Sequence, residues 1–214
     1  MTRRLGILGG TFDPVHAGHL ATAAIAQEAL GLDVVRFVPS RTPPHRDSTP
    51  RASAFHRFAM VALAVAGHDR FLASDEELRE SGPSYTWNTL SRLHNQGISP
   101  RELYFVLGMD AFHDIASWHR YPEVLDAAQF VVVTRPGAAP VGAKARLATL
   151  NPRMVEAGAF APATDDATKI VLVQGATPDV SSTEVRRRIE AGEPLTGLVP
   201  TPVVNHINRH GLYR

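Results

Sequence analysis

The chain has 214 residues, 44% of them hydrophobic and 20% charged, which suits one compact domain, or a domain with a small lobe, able to bury roughly 70% of its unfolded surface without a covalent staple. It contains no Cys, which excludes disulfides, thiolate nucleophiles, Fe–S clusters and Cys-type zinc sites and leaves His, carboxylate, hydroxyl and Arg for chemistry. Its 22 basic and 21 acidic residues nearly cancel, so nothing in the overall charge calls for a nucleic-acid backbone or an anionic membrane, and a small ligand is the expected partner. The apolar stretch after Arg3 and Arg4 is far short of the ~7–15 residues of a signal-peptide core, and nothing approaches the ~18–20 apolar residues of a membrane span. A cytoplasmic protein is expected.

In chain order, apolar β-rich runs alternate with helical-period segments, the pattern of βαβ units feeding a parallel sheet. Residues 5–8 read as a first buried strand ended by Gly9 and Gly10. Leu20, Ala23, Ala24, Gln27 and Leu30 mark one face of a helix over residues 16–30, with Gly31 as its cap. A strand at 34–38 runs into PSRTPPHRDSTP, whose four prolines forbid regular structure. That loop hangs from a strand's carboxyl end, where ligands bind in open α/β sheets. A helix over 52–66, a short strand at 71–73, a helix over 86–95 and a central strand at 103–107 follow. Next come a helix from about Ala111, a short helix near 122–127 and a strand at 130–134. Residues 136–168, rich in Ala, Pro and Gly, suggest a helix or two with loops. The last strand is expected at 170–173, then a helix over 182–190 and a C-terminal helical turn or more at 203–208. No internal repeat is present.

The strongest chemical motif is GGTFDPVHAGHL, residues 9–20, directly after the first strand. Two glycines let the backbone turn tightly and approach a ligand closely. The block is neither the G-x-G-x-x-G fingerprint nor a Walker A loop. A helix starting near His16 would still aim backbone N–H groups and the positive end of its dipole at the sheet edge, which favours phosphate. His16 and His19 share one face of its first turn. Biased toward neutrality there, they could donate N–H groups to phosphate oxygens as charge builds up. The alternatives are a pair bound to nearby carbonyls or a metal site lacking a third ligand.

The second motif is VSSTEVRRRI, residues 180–189, after the last strand. Ser181 and Glu184 form an S-x-x-E capping box. Ser182, Thr183 and Arg186 fall on one face, two hydroxyls and a guanidinium at a helix N-terminus, which makes a second anion cradle. Arg187 and Arg188 point elsewhere and read as solvated, and His56, His68, His94 and His210 read as surface residues.

The early GGTFDPVHAGH with the late SSTEVR resembles the nucleotidyltransferases of the HxGH type. Together with PPHR (43–46), SYTWNTL (84–90), GMDAFHDIASWH (108–119) and VVVTRPG (131–137), the chain is similar to the bacterial nicotinate-mononucleotide adenylyltransferases. The blocks cover much of residues 5–137 and 180–189. The resemblance implies a Rossmann-like doubly wound α/β sheet, mainly parallel, with helices on both faces. It implies a single nucleotidyltransferase domain over 1–214, with 138–168 an insertion and 180–214 completing the ATP site. It implies the reaction of ATP, with Mg²⁺ carried on its phosphates, and nicotinate mononucleotide to give nicotinate adenine dinucleotide and pyrophosphate in NAD synthesis. The acceptor phosphate would attack in line without a covalent intermediate. Such a nucleophile is already ionised and needs no general base, so positioning and charge stabilisation carry the rate.

Carried over residue by residue, the resemblance gives catalytic roles to His16, His19 and Arg186. ATP would be held by Gly9, Gly10, Thr11, Phe12, His16, His19, Gly108, Asp110, Ser182, Thr183 and Arg186. Nicotinate mononucleotide would meet His45, Arg46, Tyr85, Thr86, Asp110 and Trp118. Asp110 could instead cap the next helix. Trp118 suits stacking on a pyridine ring, with a core Trp as the competing reading. Trp87 reads as packing. Arg46 stands where the family usually has Lys, a fork in place of a point charge. Protein metal ligands are not implied, nor are nucleic-acid or membrane partners; a homo-oligomer is compatible. Phosphopantetheine adenylyltransferases typically have Thr where His16 stands, and cytidylyltransferases usually have Thr-Ser where Ser182-Thr183 stands. A nicotinamide-preferring enzyme differs by a few hydrogen bonds. A non-catalytic nucleotide-binding module would have less need of His16, His19 and Arg186 together. The loop 39–50 is expected to order on binding.

Overall fold

A computed structural model describes residues 3–44, 49–134, 148–161 and 167–214. Its elements are β1 (Leu5–Gly10), α1 (Ala17–Leu30), β2 (Val34–Pro39), α2 (Ala54–Val65), β3 (Phe71–Ala73), α3 (Thr86–Asn95), β4 (Leu103–Gly108), α4 (Met109–His113), β5 (Gln129–Thr134), β6 (Met154–Glu156), β7 (Ile170–Gln174), α5 (Ser182–Glu190) and α6 (Thr201–His210). Four 3₁₀ turns, Ile115–Ser117, Glu123–Asp126, Ala148–Arg153 and Ala157–Ala159, link them. The strands are hydrogen-bonded in the order β3-β2-β1-β4-β5-β7-β6. The order reverses between β1 and β4, which run parallel with Leu5 opposite Leu103 and Leu8 opposite Val106. Pairs β4–β5, β5–β7 and β6–β7 are parallel too. This is the Rossmann-like α/β fold, and such a reversal is where strands of this kind deliver loops to a ligand.

LYFVLG in β4 and QFVVVT in β5 are buried along almost their whole length. Parallel strands covered on both faces need unbroken apolar runs where a half-exposed strand would alternate. That is why these were plain in the sequence. β6 was not expected: it is three residues long and half-exposed, too short to show a period. The expected helix near 122–127 is a 3₁₀ turn, Glu123–Asp126. Expectations for 135–147 and 162–166 lie outside the described residues.

The chain forms two compact units interleaved in sequence. The first comprises Met1–Leu8, Thr22–Val35 and Tyr85–Ala176. Its core gathers Phe105, Phe112, Ile115, Phe130 and Val131 around the central strands. Thr168 and Gln129, both buried, stay satisfied, since the Thr168 hydroxyl donates to the Leu125 carbonyl (2.7 Å) and the Gln129 amide oxygen accepts from the Lys169 N–H (2.8 Å). The second unit comprises Gly9–Ala21, Arg36–Ser84 and Thr177–Arg214. Here α2 packs on α6 over Met60, Val61, Val203 and Ile207. Ser53 caps α2 by accepting from the His56 N–H.

Close approach of α1 to the strands depends on glycine in the first unit. A Cβ on Gly175 would lie 2.6 Å from the side chain of Ile25, well inside van der Waals contact. Gly175→Ala is therefore expected to destabilise the protein by about 1–3 kcal/mol. Urea unfolding should show a smaller loss when the same change is made in an Ile25→Ala background, where the clash is gone.

Candidate active site

The carboxyl end of β1 enters a loop that doubles back before α1. Phe12 turns it with φ +50°, a left-handed conformation costly for a bulky residue, and its buried ring lies beneath Gly10. A Cβ on Gly10 would stand 3.1 Å from that ring, tighter than ordinary contact, so a side chain there would press on Phe12. Phe12 meets the His19 ring edge-on at 4.9 Å between centroids.

Asp13 follows, almost fully buried, and is the hub of the loop. One carboxylate oxygen accepts from the Tyr213 hydroxyl (2.8 Å) and the Ala52 N–H (3.1 Å), and the other from the Arg51 N–H (2.9 Å). Its carbonyl accepts from the Arg186 guanidinium at 2.8 Å. Burial and the neighbouring Asp13 carboxylate hold the Tyr213 hydroxyl far above its ordinary pKa, so it stays a donor. Arg57, buried at 1% exposure, donates to the carbonyls of Thr11 (2.7 Å), Ala52 (3.2 Å) and Arg41 (3.3 Å). A buried cation surrounded by carbonyl dipoles in this way fixes the loop's backbone from beneath.

His16 and His19 lie at the entry to α1 with rings 3.7 Å apart and 30° from parallel. The His19 Nδ1 accepts from the His16 backbone N–H at 3.2 Å, which assigns the ring proton of neutral His19 to Nε2. His16 is buried, and desolvation lowers its pKa to about 4, so it is a neutral imidazole at physiological pH. Its Nδ1 has no hydrogen-bond partner among the described residues. A Cβ on Gly18 would press to 3.1 Å from the His16 ring and 3.3 Å from Val180. The glycine of HAGH thus gives the rings their room.

The late motif joins the same loop. The Ser182 hydroxyl donates to the Pro14 carbonyl (2.9 Å), and Arg186 spans the Asp13 carbonyl and the Thr183 hydroxyl (3.2 Å). Ser181 accepts from the Glu184 N–H, as expected of a cap. The Glu184 carboxylate turns instead to Arg187 and Arg188, which hold it at about pKa 2. These two arginines are ion-paired with Glu184 and Glu193, where solvation alone was expected. The backbone donors at the start of α1 are also partly committed. Ala17 N–H reaches the Leu198 carbonyl at 2.8 Å.

In the first unit, Tyr85 precedes α3 and Thr86 begins it. Tyr85 stacks on His119 at 4.3 Å, which brings the SYT block to the segment that carries Trp118. Trp118 is half-exposed, its edge against Phe105 (5.8 Å) and Phe130 (6.5 Å). It is a partly covered surface ring, not a core Trp. Trp87 lies under the Arg120 guanidinium at 5.1 Å. Gly108 ends β4 and caps α4, and Asp110 sits exposed in the first turn, so Asp110 is not the cap. His45 and Arg46, the second half of the PPHR block whose ordering was expected, lie outside the described residues.

Sequence reasoning missed Asp13, Gly18, Arg57, Tyr213 and His119. Asp13 and Gly18 lie inside the HxGH block, and a search for buried partners could have raised them. Arg57 and Tyr213 carry no motif and are visible only once the chain folds.

A cytidylyltransferase-like family model matches residues 7–188. A "Probable nicotinate-nucleotide adenylyltransferase" from Roseiflexus is 41% identical over 210 residues, covering 98% of each chain. One of the same name from Pseudomonas fluorescens is 40% identical, covering 100% of this chain and 99% of that one. Among solved structures, the Plasmodium falciparum nicotinic acid mononucleotide adenylyltransferase complexed with NaAD superposes with TM-score 0.72 at 17% identity, covering 99% and 97% of the two chains, a likeness of fold. The chain belongs to the cytidylyltransferase-like family and, within it, groups over its full length with relatives named nicotinate-nucleotide adenylyltransferase.

Proposed function

We propose that this protein transfers the adenylyl group of ATP to nicotinate mononucleotide, giving nicotinate adenine dinucleotide and pyrophosphate, a step of NAD synthesis in the cytoplasm. The observation that carries the reading is the pair His16 and His19 at the mouth of α1, with rings 3.7 Å apart and His16 held neutral by burial, bound through the 11–16 loop to Arg186. Full-length relatives bearing the enzyme's name support the choice of acceptor, and the Plasmodium relative was solved with NaAD.

An acceptor phosphate oxygen attacks the α-phosphorus of ATP in line, the bond from that phosphorus to the β-phosphate oxygen breaks, and pyrophosphate leaves with the electron pair. The nucleophile is already an anion, so no general base is needed. His16 and His19 each donate one N–H to the non-bridging oxygens of the reacting phosphate, where negative charge grows. Fixed donors aimed at developing charge typically contribute 10²–10³ in rate each. Arg186 has more N–H groups than its contacts with Asp13 and Thr183 use, and its charge steadies the departing pyrophosphate. Ser182 and Thr183 open α5, where the helix dipole favours the β- and γ-phosphates. Gly9, Gly10, Thr11 and Phe12 line the phosphate path with backbone. Gly108 and Asp110 face ribose or acceptor, and Tyr85, Thr86 and Trp118, with His45 and Arg46, receive the mononucleotide.

ATP enters as its Mg²⁺ complex. The donor set around the loop is imidazole, hydroxyl and guanidinium, and both oxygens of the Asp13 carboxylate are filled by protein donors. A divalent cation accompanying ATP would be carried by the triphosphate oxygens, a hard cation on hard ligands, and would neutralise their charge.

Pyrophosphate release from MgATP is expected with nicotinate mononucleotide well above nicotinamide mononucleotide, phosphopantetheine or glycerol 3-phosphate. A different winner would move the acceptor assignments while leaving the phosphate site. His16→Asn should lower kcat by about 10²–10³ with unchanged circular dichroism, and wild-type activity would end its catalytic role. The burial of His16 also sets a pH dependence. Unfolded, it binds a proton below its ordinary value of 6.5; folded, only below about 4. Its contribution of roughly 3 kcal/mol is therefore complete above pH 6.5 and disappears as pH falls toward 4. Urea midpoints between pH 7 and 4 should fall less steeply for His16→Asn than for the native chain.

A further inference from the structure

Sequence reading left His56 and His210 as surface residues, yet the fold gathers them with His206 into one group. His206 and His210 are four apart on one face of α6, and His56 reaches them from the third position of α2. The ligand nitrogens of all three lie within 4.8 Å of one another. His56 Nδ1 and His206 Nε2 are 3.1 Å apart, and the His206 and His210 ring centroids are 4.4 Å apart. No other group of three His or carboxylate residues among those described is placed to share an ion.

We propose that His56, His206 and His210 form a binding site for a divalent transition-metal ion, Zn²⁺ foremost, that ties α2 to α6. Three imidazole nitrogens at the ~2.0–2.1 Å of a Zn–N bond in tetrahedral geometry stand about 3.4 Å from one another. The His56–His206 pair already has nearly that spacing. Turning the exposed ring of His210 would close the third side. An all-imidazole set suits Zn²⁺, Cu²⁺ or Ni²⁺ and is foreign to Mg²⁺ or Ca²⁺, so the site is chemically separate from the ion that accompanies ATP. The fourth position faces solvent and takes water. His56 directly precedes Arg57, which holds the Thr11 carbonyl, and Tyr213, which holds Asp13, stands three residues past His210. A metal bridge would therefore brace the two elements that grip the loop bearing His16.

The test uses tag-free, chelator-stripped full-length protein titrated with Co²⁺ and then Zn²⁺. One equivalent of Co²⁺ is expected to give the visible absorption of a low-coordinate nitrogen site and to be displaced by Zn²⁺, and Zn²⁺ is expected to raise the melting temperature. His206→Ala and His210→Ala should each weaken binding by at least about tenfold while melting like the native chain without metal. His16→Asn should bind as the native chain does. Absence of stoichiometric binding, binding unmoved by both α6 substitutions, or binding lost with His16→Asn would each overturn the proposal. Should either α6 variant fold poorly, His210→Gln, at an exposed position, gives the same reading.

Discussion

The structure turns on one buried carboxylate. Asp13 sits inside the turn between β1 and α1, with the Ala52 and Arg51 amides and the Tyr213 hydroxyl on its oxygens and Arg186 on its carbonyl. Burying a charge is costly unless every lone pair is met. Here the donors come from three parts of the chain that are far apart in sequence. Meeting that cost locks the segment before α2 and the C-terminal residues onto the loop, and α5 joins it through the Asp13 carbonyl. The late motif reaches the same turn through backbone, Arg186 on the Asp13 carbonyl and Ser182 on the Pro14 carbonyl, so the two motifs at opposite ends of the sequence share one anchor.

From that anchor the electrostatics of the site follow. Phe12 and Gly10 fix the turn, Gly18 gives room, and His16 is pressed into the protein far enough to stay neutral. A cationic imidazole would bind ground-state ATP strongly as well as the transition state. A neutral N–H donor contributes most where charge grows, and a donor held rigid beforehand needs no reorganisation at the moment of reaction. Arg186, a permanent cation, is itself tethered to the same loop through the Asp13 carbonyl.

Much of this was legible in the sequence for physical reasons. The central strands were plain because parallel strands buried on both faces read as LYFVL and FVVVT, and α3 and α5 were found to the residue. The HxGH and SSTEVR blocks stood out because backbone turns, helix starts and charged groups have short-range signatures, and the structure joins them at one loop. β6 escaped because three residues show no period. Arg57 and Tyr213 escaped because their roles exist only through contacts 46 and 200 residues away in sequence. The grouping of His56 with His206 and His210 escaped similarly, since only half of it, the four-residue spacing on α6, is local. Arg186 was expected on phosphate, and the structure adds that it also carries the loop.

The proposed reaction is a single in-line displacement at the α-phosphorus, driven by positioning with no covalent enzyme intermediate. The most direct test is the stereochemical course with one diastereomer of ATP sulfur-substituted at the α-phosphate and nicotinate mononucleotide as acceptor. One displacement inverts the configuration at phosphorus, so inversion is expected in the dinucleotide product. Retention would mean two displacements through an adenylylated residue and would contradict it.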